Sequence, residues 1–304
     1  MKRLKIKTNG YGDFGSGPSV FVRKFVEGTR HHVVMSGDVG VLLLVTGDEA
    51  HFRQCNMYKK MVMRCDGMYY IQDDPKPPKI RNVGIVSRYM SADAHVFQSV
   101  YAKQFYEHVC GARDVPSTII YNGSDLPFVG KENRNVGVLC STDARESKRQ
   151  YLIPEIAQRL IKHDPKIEIV VIGSYKGKVL SNMRLLGKSP HTKLLSHYTG
   201  LTTFLDVSYQ PCCSNAVIEA AKAGMAVVAS RSGGTPEFLL GSGLMYGETK
   251  IGYDVVKKVP RPDPDEMFDL VLQSFSMIPS DRGDLSVERM CFEYDTFLNK
   301  VVCK

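Results

Sequence analysis

The stretch from Ser214 to Glu237, SNAVIEAAKAGMAVVASRSGGTPE, decides how this chain of 304 residues folds. Ser214 to Ala223 reads as a helix, with Ser214 or Asn215 as its cap, because short polar side chains accept the first unpaired backbone N–H groups. Gly224 stands at the C′ position, where a residue without Cβ takes a left-handed conformation at little cost. Met225 to Ser230 (MAVVAS) is a strand, and Gly233-Gly234-Thr235-Pro236 turns into a second helix with Glu237 in its first turn. Helix, strand, turn and helix in this succession belong to an α/β domain built on a parallel sheet.

The same alternation extends outward. Val136 to Cys140 reads as a strand, Gln150 to His163 as a helix that Pro154 starts or kinks, Ile167 to Ile172 as a buried strand closed by Gly173, and Phe204 to Tyr209 as a short strand. After Pro264, two amphipathic segments at Asp265 to Met277 and Val287 to Val302 read as closing helices. Toward the start, Leu4 to Thr8 is a strand, Ser19 to Val26 a helix, and His31 to Met35 and Val39 to Val45 further strands. Ala92 to Gln98, Val100 to Val109 and Ser117 to Tyr121 then give strand, helix and strand. Leu126 to Asn135 is polar and irregular. The expected division is therefore a first α/β domain over 1–128 and a second over 129–304 that carries the closing helices. Two such domains leave a cleft between them, a common seat for a ligand.

Composition narrows the chemistry. Hydrophobic residues make up 43% and charged residues 24%, the balance of a folded globular protein. The longest apolar run, around Val39 to Val45, is far below the ~20 residues that span a bilayer. Met1 to Lys7 alternates basic and apolar residues, unlike a secretory leader. The eight cysteines form no C-x-x-C pair and are expected to be reduced thiols of a cytoplasmic protein. A net charge of +8 favours anionic partners, which include ligand phosphates and an acidic membrane face. Nucleic acid is not expected, because no basic stretch is interleaved with aromatics and tryptophan is absent.

Several motifs have chemical readings. Gly10-x-Gly12-x-x-Gly15 lies between a strand and a helix, as a dinucleotide fingerprint does, but Ser16, Gly17 and Pro18 lengthen the loop beyond that pattern. It can face phosphate or substrate, or be a glycine-rich turn. Asn182 to Ser189 resembles a phosphate-binding loop without its first glycine, and Asp263-Pro264-Asp265 resembles a metal-binding D-x-D. The latter is equally explained by acidic residues favouring a helix start, so no metal is expected. Glu219 lies one turn into its helix, where a carboxylate accepts two hydroxyl hydrogen bonds such as a ribose offers. Free N–H groups at the two helix starts attract phosphate. Arg145-x-x-Lys148-Arg149 follows the first strand of the second domain and places cations at its carboxyl end. There they would stabilise a departing diphosphate without reorganising.

In this order, these segments resemble the GT-B glycosyltransferases, in particular the family-4 type of retaining enzymes. R-x-x-K-R, S-N-A-V-x-E-A-x-x-x-G and G-G-T-x-E stand here as Arg145-Lys148-Arg149, Ser214-Asn215-Ala216-Val217-Glu219-Ala220-Gly224 and Gly233-Gly234-Thr235-Glu237. Gly12 to Ser19 resembles the family's glycine-rich first loop, Phe97-Gln98-Ser99 its F-Q-S strand end, Asn122-Gly123-x-Asp125 its interdomain turn, and Arg64-Cys65-Asp66-Gly67 the R-x-D-G of one branch. The resemblance implies two Rossmann-like α/β domains facing across a cleft and transfer of a sugar from a nucleotide-diphosphate sugar with retained configuration, without metal or other cofactor. It implies that Arg145 and Lys148 hold the diphosphate and that Glu219, Ser214, Asn215, Gly233, Gly234 and Thr235 bind the donor. Gly15, Ser16, Gly17, Asp66 and Ser99 would line the acceptor side. The acceptor, whether glycan, lipid-linked or protein, is not identified by sequence, and peripheral contact with the cytosolic face of a membrane fits the basic charge.

One departure stands out. The family carries acidic residues eight apart, E-x7-E; Glu219 is the second, and Pro211 occupies the first. Either another group, such as Asp206, replaces the missing carboxylate, or the chain binds nucleotide sugar with impaired catalysis. The first domain is also short for the family. A nicotinamide-dependent oxidoreductase using Gly10, Gly12 and Gly15 is the remaining, weaker alternative.

Overall fold

The computed structural model describes residues 3–8, 17–34, 38–45, 58–69, 78–189, 191–239, 243–247, 252–253 and 259–303. In chain order the elements are β1 (Lys5–Thr8), α1 (Gly17–Gly28), β2 (His32–Val33), β3 (Val39–Val45), β4 (Tyr58–Cys65), α2 (Pro78–Ser91), β5 (Ala94–Phe97), α3 (Val100–Cys110) and β6 (Ser117–Ile119). There follow β7 (Asn135–Thr142), α4 (Leu152–His163), β8 (Glu168–Gly173), β9 (Met183–Gly187), α5 (His191–Gly200), β10 (Leu201–Asp206), α6 (Asn215–Lys222) and β11 (Ala226–Ser230). The last are α7 (Thr235–Leu239), β12 (Gly243–Tyr246), α8 (Pro264–Ser274) and α9 (Val287–Val302). Two compact units result: Met1–Gly123 with Tyr253–Val255 and Leu285–Lys304, and Ser124–Gly252 with Val256–Asp284. Among the described residues no helix is long and apolar enough to cross a membrane.

The first unit holds a sheet in the order β2-β1-β3-β4-β5-β6, and every neighbouring pair in it is parallel. β3 is buried along almost its whole length, as a central parallel strand covered on both faces must be. The expected division at 128/129, with both closing helices in the second domain, differs from these units. α9 does not close the second unit. Its Val287, Met290, Cys291, Tyr294, Phe297, Leu298 and Val301 join Phe21 and Phe25 of α1 and the apolar side chains of β1, β3 and β4 in one core. The Tyr294 ring lies 5.2 Å from Phe21 and 5.5 Å from Phe25. The helical periodicity of 287–302 identifies the stripe but not the unit that buries it. That choice depends on which core lacks a cover.

Gly123 fixes the entry to α9. A Cβ there would stand 2.5 Å from Ser286 O and 2.8 Å from Val287 Cα, so the glycine is required by close approach of two backbones. Ser286 caps α9 by accepting from Arg289 N at 3.2 Å, and Arg289 in turn donates to Asn122 O at 3.1 Å. Gly123→Ala is expected to destabilise the packing of α9 by about 1–3 kcal/mol. Hydrogen exchange of the α9 amides measures this; protection equal to the parent chain would contradict it.

The second unit holds a parallel sheet in the order β12-β11-β10-β7-β8-β9. Its core joins α4 and α8 to inward residues of β7, β8, β10 and β11. From β7 the chain winds to β8 on one side, and β10 winds to β11 on the other. The strand order therefore reverses between β7 and β10, and ligands of open α/β sheets bind beyond the carboxyl ends at such a reversal. Asn182 to Ser189 holds strand β9 rather than a phosphate loop. Asp263 caps α8 by accepting from Asp265 N at 2.9 Å, while Asp265 pairs with Arg159 at 2.7 Å. That is the helix-start reading of the D-x-D.

Candidate functional site

The chain leaves β7 at Thr142 and makes a short 3-10 turn at Glu146–Lys148, after which Arg149 takes a left-handed conformation with φ of 38°. The buried Arg149 side chain explains that backbone. It donates to Val207 O at 2.7 Å, Ser208 O at 3.1 Å, Pro260 O at 3.3 Å and the Tyr246 hydroxyl at 3.2 Å. Tyr246 then donates to Asp206 O at 2.8 Å. Burial pushes the Tyr246 phenol far above its usual range, despite the guanidinium beside it. The last arginine of R-x-x-K-R thus fastens the carboxyl end of β10.

Lys148 Nζ donates to Ser208 Oγ at 3.0 Å, which brings the ends of β7 and β10 together at the reversal point. Ser208 Oγ donates to Asp206 Oδ1 at 2.5 Å and Ser208 N to the same oxygen at 3.1 Å. Tyr209 N donates to Ser147 O at 2.7 Å, a second tie between the two loops. Arg145 is half-exposed and forms a two-pronged pair with Asp143, its Nε 2.9 Å from Oδ1 and its Nη2 2.6 Å from Oδ2. Burial alone would raise the Asp143 carboxyl, but the hydrogen bonds and charge of Arg145 outweigh it and hold the carboxyl low.

The loop that leaves Ser208 also reaches the glycine turn. Gln210 N donates to Ser232 Oγ at 3.0 Å, and Gly234 N donates to Pro211 O at 2.9 Å. Gly233 has φ of +65°, and a Cβ on it would meet Pro211 O at 2.4 Å and Gln210 C at 2.7 Å. No larger residue fits that turn in this conformation. Thr235 opens α7 with its side chain buried, and among the described residues its Oγ1 has no hydrogen-bond partner. Segment 208–211 is therefore the bridge between the cation turn and the Gly233 turn.

Ser214 occupies the N-cap position of α6 in extended backbone, but its side chain makes no capping hydrogen bond, so only the position was as expected. Asn215 is the first helical residue, and Glu219 follows one turn in, buried. Its carboxylate accepts a hydrogen bond from the fully buried Tyr198 hydroxyl, and burial followed by that charge pushes the phenol well above its usual range. Tyr198, at the end of α5 and stacked on Phe204 with centroids 5.8 Å apart, is a partner that sequence reading missed. A lone tyrosine in a weakly periodic segment gives no signal. Asp206, at the end of β10, is buried, and its Oδ1 accepts from both the amide and the hydroxyl of Ser208.

The first unit receives its expected residues differently. Gly10, Gly12, Gly15 and Ser16 lie outside the described residues, and Gly17 opens α1. The Asp66 carboxylate is buried, paired with Arg64 and bonded by Gln98, while Arg64 lies 3.9 Å over the Phe21 ring and donates to Asn122 Oδ1 at 2.9 Å. Ser99 caps α3, its Oγ accepting from Ala102 N at 2.9 Å. Both side chains are thus engaged within the unit. Among the described residues, no group of three or more His, Cys, Asp or Glu is placed to hold a metal ion.

This arrangement offers a cationic turn, an orphaned buried hydroxyl and a glycine turn along one edge of a doubly wound sheet, with a buried carboxylate one turn into the helix that follows β10. Residues 133–273 match the family model described as Glycosyl transferases group 1. Similar folds include a sucrose-phosphate synthase from Thermosynechococcus elongatus, 11% identical with a TM-score of 0.64 over 99% of this chain and 95% of that one. A glycosyltransferase from Rickettsia africae ESF-5 is 10% identical with a TM-score of 0.59, covering 99% of both chains. The pneumococcal O-GlcNAc transferase GtfA, solved with UDP and GlcNAc, is 10% identical with a TM-score of 0.61 over 87% of this chain and 57% of that one. A search of the curated proteins found no match.

Proposed function

We propose, from the premise that residues 133–273 carry the group 1 glycosyltransferase signature in a chain of GT-B fold, that this protein transfers a sugar from a nucleotide-diphosphate sugar with retention of configuration. The observation that carries the reading is the bridge 208–211, which joins the Lys148 turn to the Gly233 turn where the strand order reverses. Phosphate negative charge grows as the sugar leaves. A lysine ammonium has three N–H donors. One is held by Ser208, which leaves two for diphosphate oxygens. Arg145 would exchange part of its pairing with Asp143 for the same group. Glu219, steadied by Tyr198, would receive ribose hydroxyls, and the Gly233–Thr235 turn would face the donor sugar or phosphate. Positive charge then comes from the chain itself, so the reaction is proposed to need no metal or cofactor.

The test is thermal unfolding in UDP, GDP, ADP and their sugars. A ligand at a hundredfold excess over its Kd adds about 2.7 kcal/mol of stability, so one base is expected to stand apart. Equal melting in all of them would sink the proposal. Pro211 supports a second reading, a nucleotide-sugar-binding protein with impaired chemistry. Stabilisation by a nucleotide sugar, with neither hydrolysis nor transfer across a broad acceptor set, would select it.

A further inference from the structure

The Lys148 ammonium is a compact charge on a flexible stem, and it can meet a phosphate in many rotamers. In this chain it is held in one by a relay of named atoms. Asp206, at the end of β10, is buried and can only accept. Its Oδ1 takes both the Ser208 amide, at 3.1 Å, and the Ser208 hydroxyl, at 2.5 Å. A hydroxyl has one proton. With that proton committed to the carboxylate, Ser208 Oγ can only accept from its other neighbours, and Lys148 Nζ fills that role at 3.0 Å. The backbone beneath is immobilised independently, because Arg149 holds Val207 O and Ser208 O while Tyr246 holds Asp206 O. The carboxylate also stays one group removed from the ammonium, so Lys148 is steered without being consumed by a direct ion pair.

We infer that Ser208 and Asp206 are positioning residues for Lys148, with Asp206 fixing the hydroxyl and the hydroxyl fixing the ammonium toward the diphosphate before the donor arrives. The inference rests on the reading of Lys148 as a diphosphate ligand. Preordering removes rotamer loss from the binding step, so it strengthens the grip on the phosphates without adding a contact to the ligand.

The experiment takes whichever of UDP, GDP and ADP stabilises the parent chain. It measures the Kd of that diphosphate and of its unphosphorylated nucleoside for Ser208→Ala, Ser208→Thr, Asp206→Asn, Lys148→Ala and the double variant Lys148→Ala/Ser208→Ala. Ser208→Ala is expected to weaken the diphosphate about tenfold and leave the nucleoside unchanged, with Ser208→Thr restoring most of the loss. Asp206→Asn is expected to fall between them. In the Lys148→Ala background, removing the hydroxyl should change the diphosphate Kd less than twofold, because its only route to the ligand is gone. A purely structural serine would add its full penalty in both backgrounds, or weaken the nucleoside equally; either result overturns the inference. If Ser208→Ala does not fold, Ser208→Cys, of similar size with a weaker hydrogen bond, is read in its place. Lys148→Ala binding the diphosphate as well as the parent does would instead defeat the donor reading itself. A parent chain that binds none of the three defeats both.

Discussion

Lys148→Ala is expected to lower kcat/KM with the nucleotide sugar 10²–10³-fold, about 2.7–4 kcal/mol of transition-state stabilisation. The loss should fall more on kcat than on donor affinity. The ground-state diphosphate is already charged, but the extra charge that the ammonium meets appears only as the glycosidic bond breaks. The preordered geometry makes the effect large. Lys148 is anchored at 3.0 Å to a serine that is itself bonded to a buried carboxylate, so the cation needs no search at the moment of transfer. Arg145→Ala should cost less, because that guanidinium is half-exposed and already paired with Asp143. Steady-state kinetics of both variants make the comparison. Turnover unchanged by Lys148→Ala would remove the cation from the reaction.

The second large effect concerns stability. Arg149→Met keeps the aliphatic reach of the side chain and removes the guanidinium, leaving buried carbonyl groups of Val207 and Ser208 without their donors. Breaking a buried charged hydrogen-bond network of this kind costs about 3–5 kcal/mol. For a unit of this size that lowers its melting transition by about 10 °C. The left-handed backbone at Arg149, with φ of 38°, is then no longer repaid by any contact. Hydrogen exchange resolves which part loosens. The end of β10 and the turn at 145–149 should open first, while α9 in the other unit keeps its protection. Uniform protection in both would show that Arg149 is not the fastening point.

These two arginines show where sequence reading reaches its limit. Arg145, Lys148 and Arg149 form one motif, yet they have three different fates: an exposed ion pair, an anchored ammonium and a buried strut. Motif spacing records that three cations follow a strand. It does not record which partner each side chain meets, Asp143 for Arg145, Ser208 for Lys148 and the backbone of 207–208 for Arg149. Ser208 and Tyr198 were invisible for the converse reason, since their partners Lys148 and Glu219 stand on other elements of the chain. β9, α5 and β12 also escaped notice. They are short or weakly patterned, and the ends of β9 and β12 are set by pairing with β8 and β11 rather than by their own composition.

The amino-acid order alone determined the two α/β halves, the run of helix, strand and glycine turn from 214 to 237, and the placing of a cationic turn after β7. Periodicity and turn chemistry are local properties, and the backbone obeys them wherever the segment lies. Only tertiary structure decided that α9 covers the first unit and that Arg149 and Asp66 are engaged internally. Each of these is a choice among distant partners. Burial makes such a choice binding, because a charge or a polar group removed from water must find its partner in whichever chain segment the fold brings beside it.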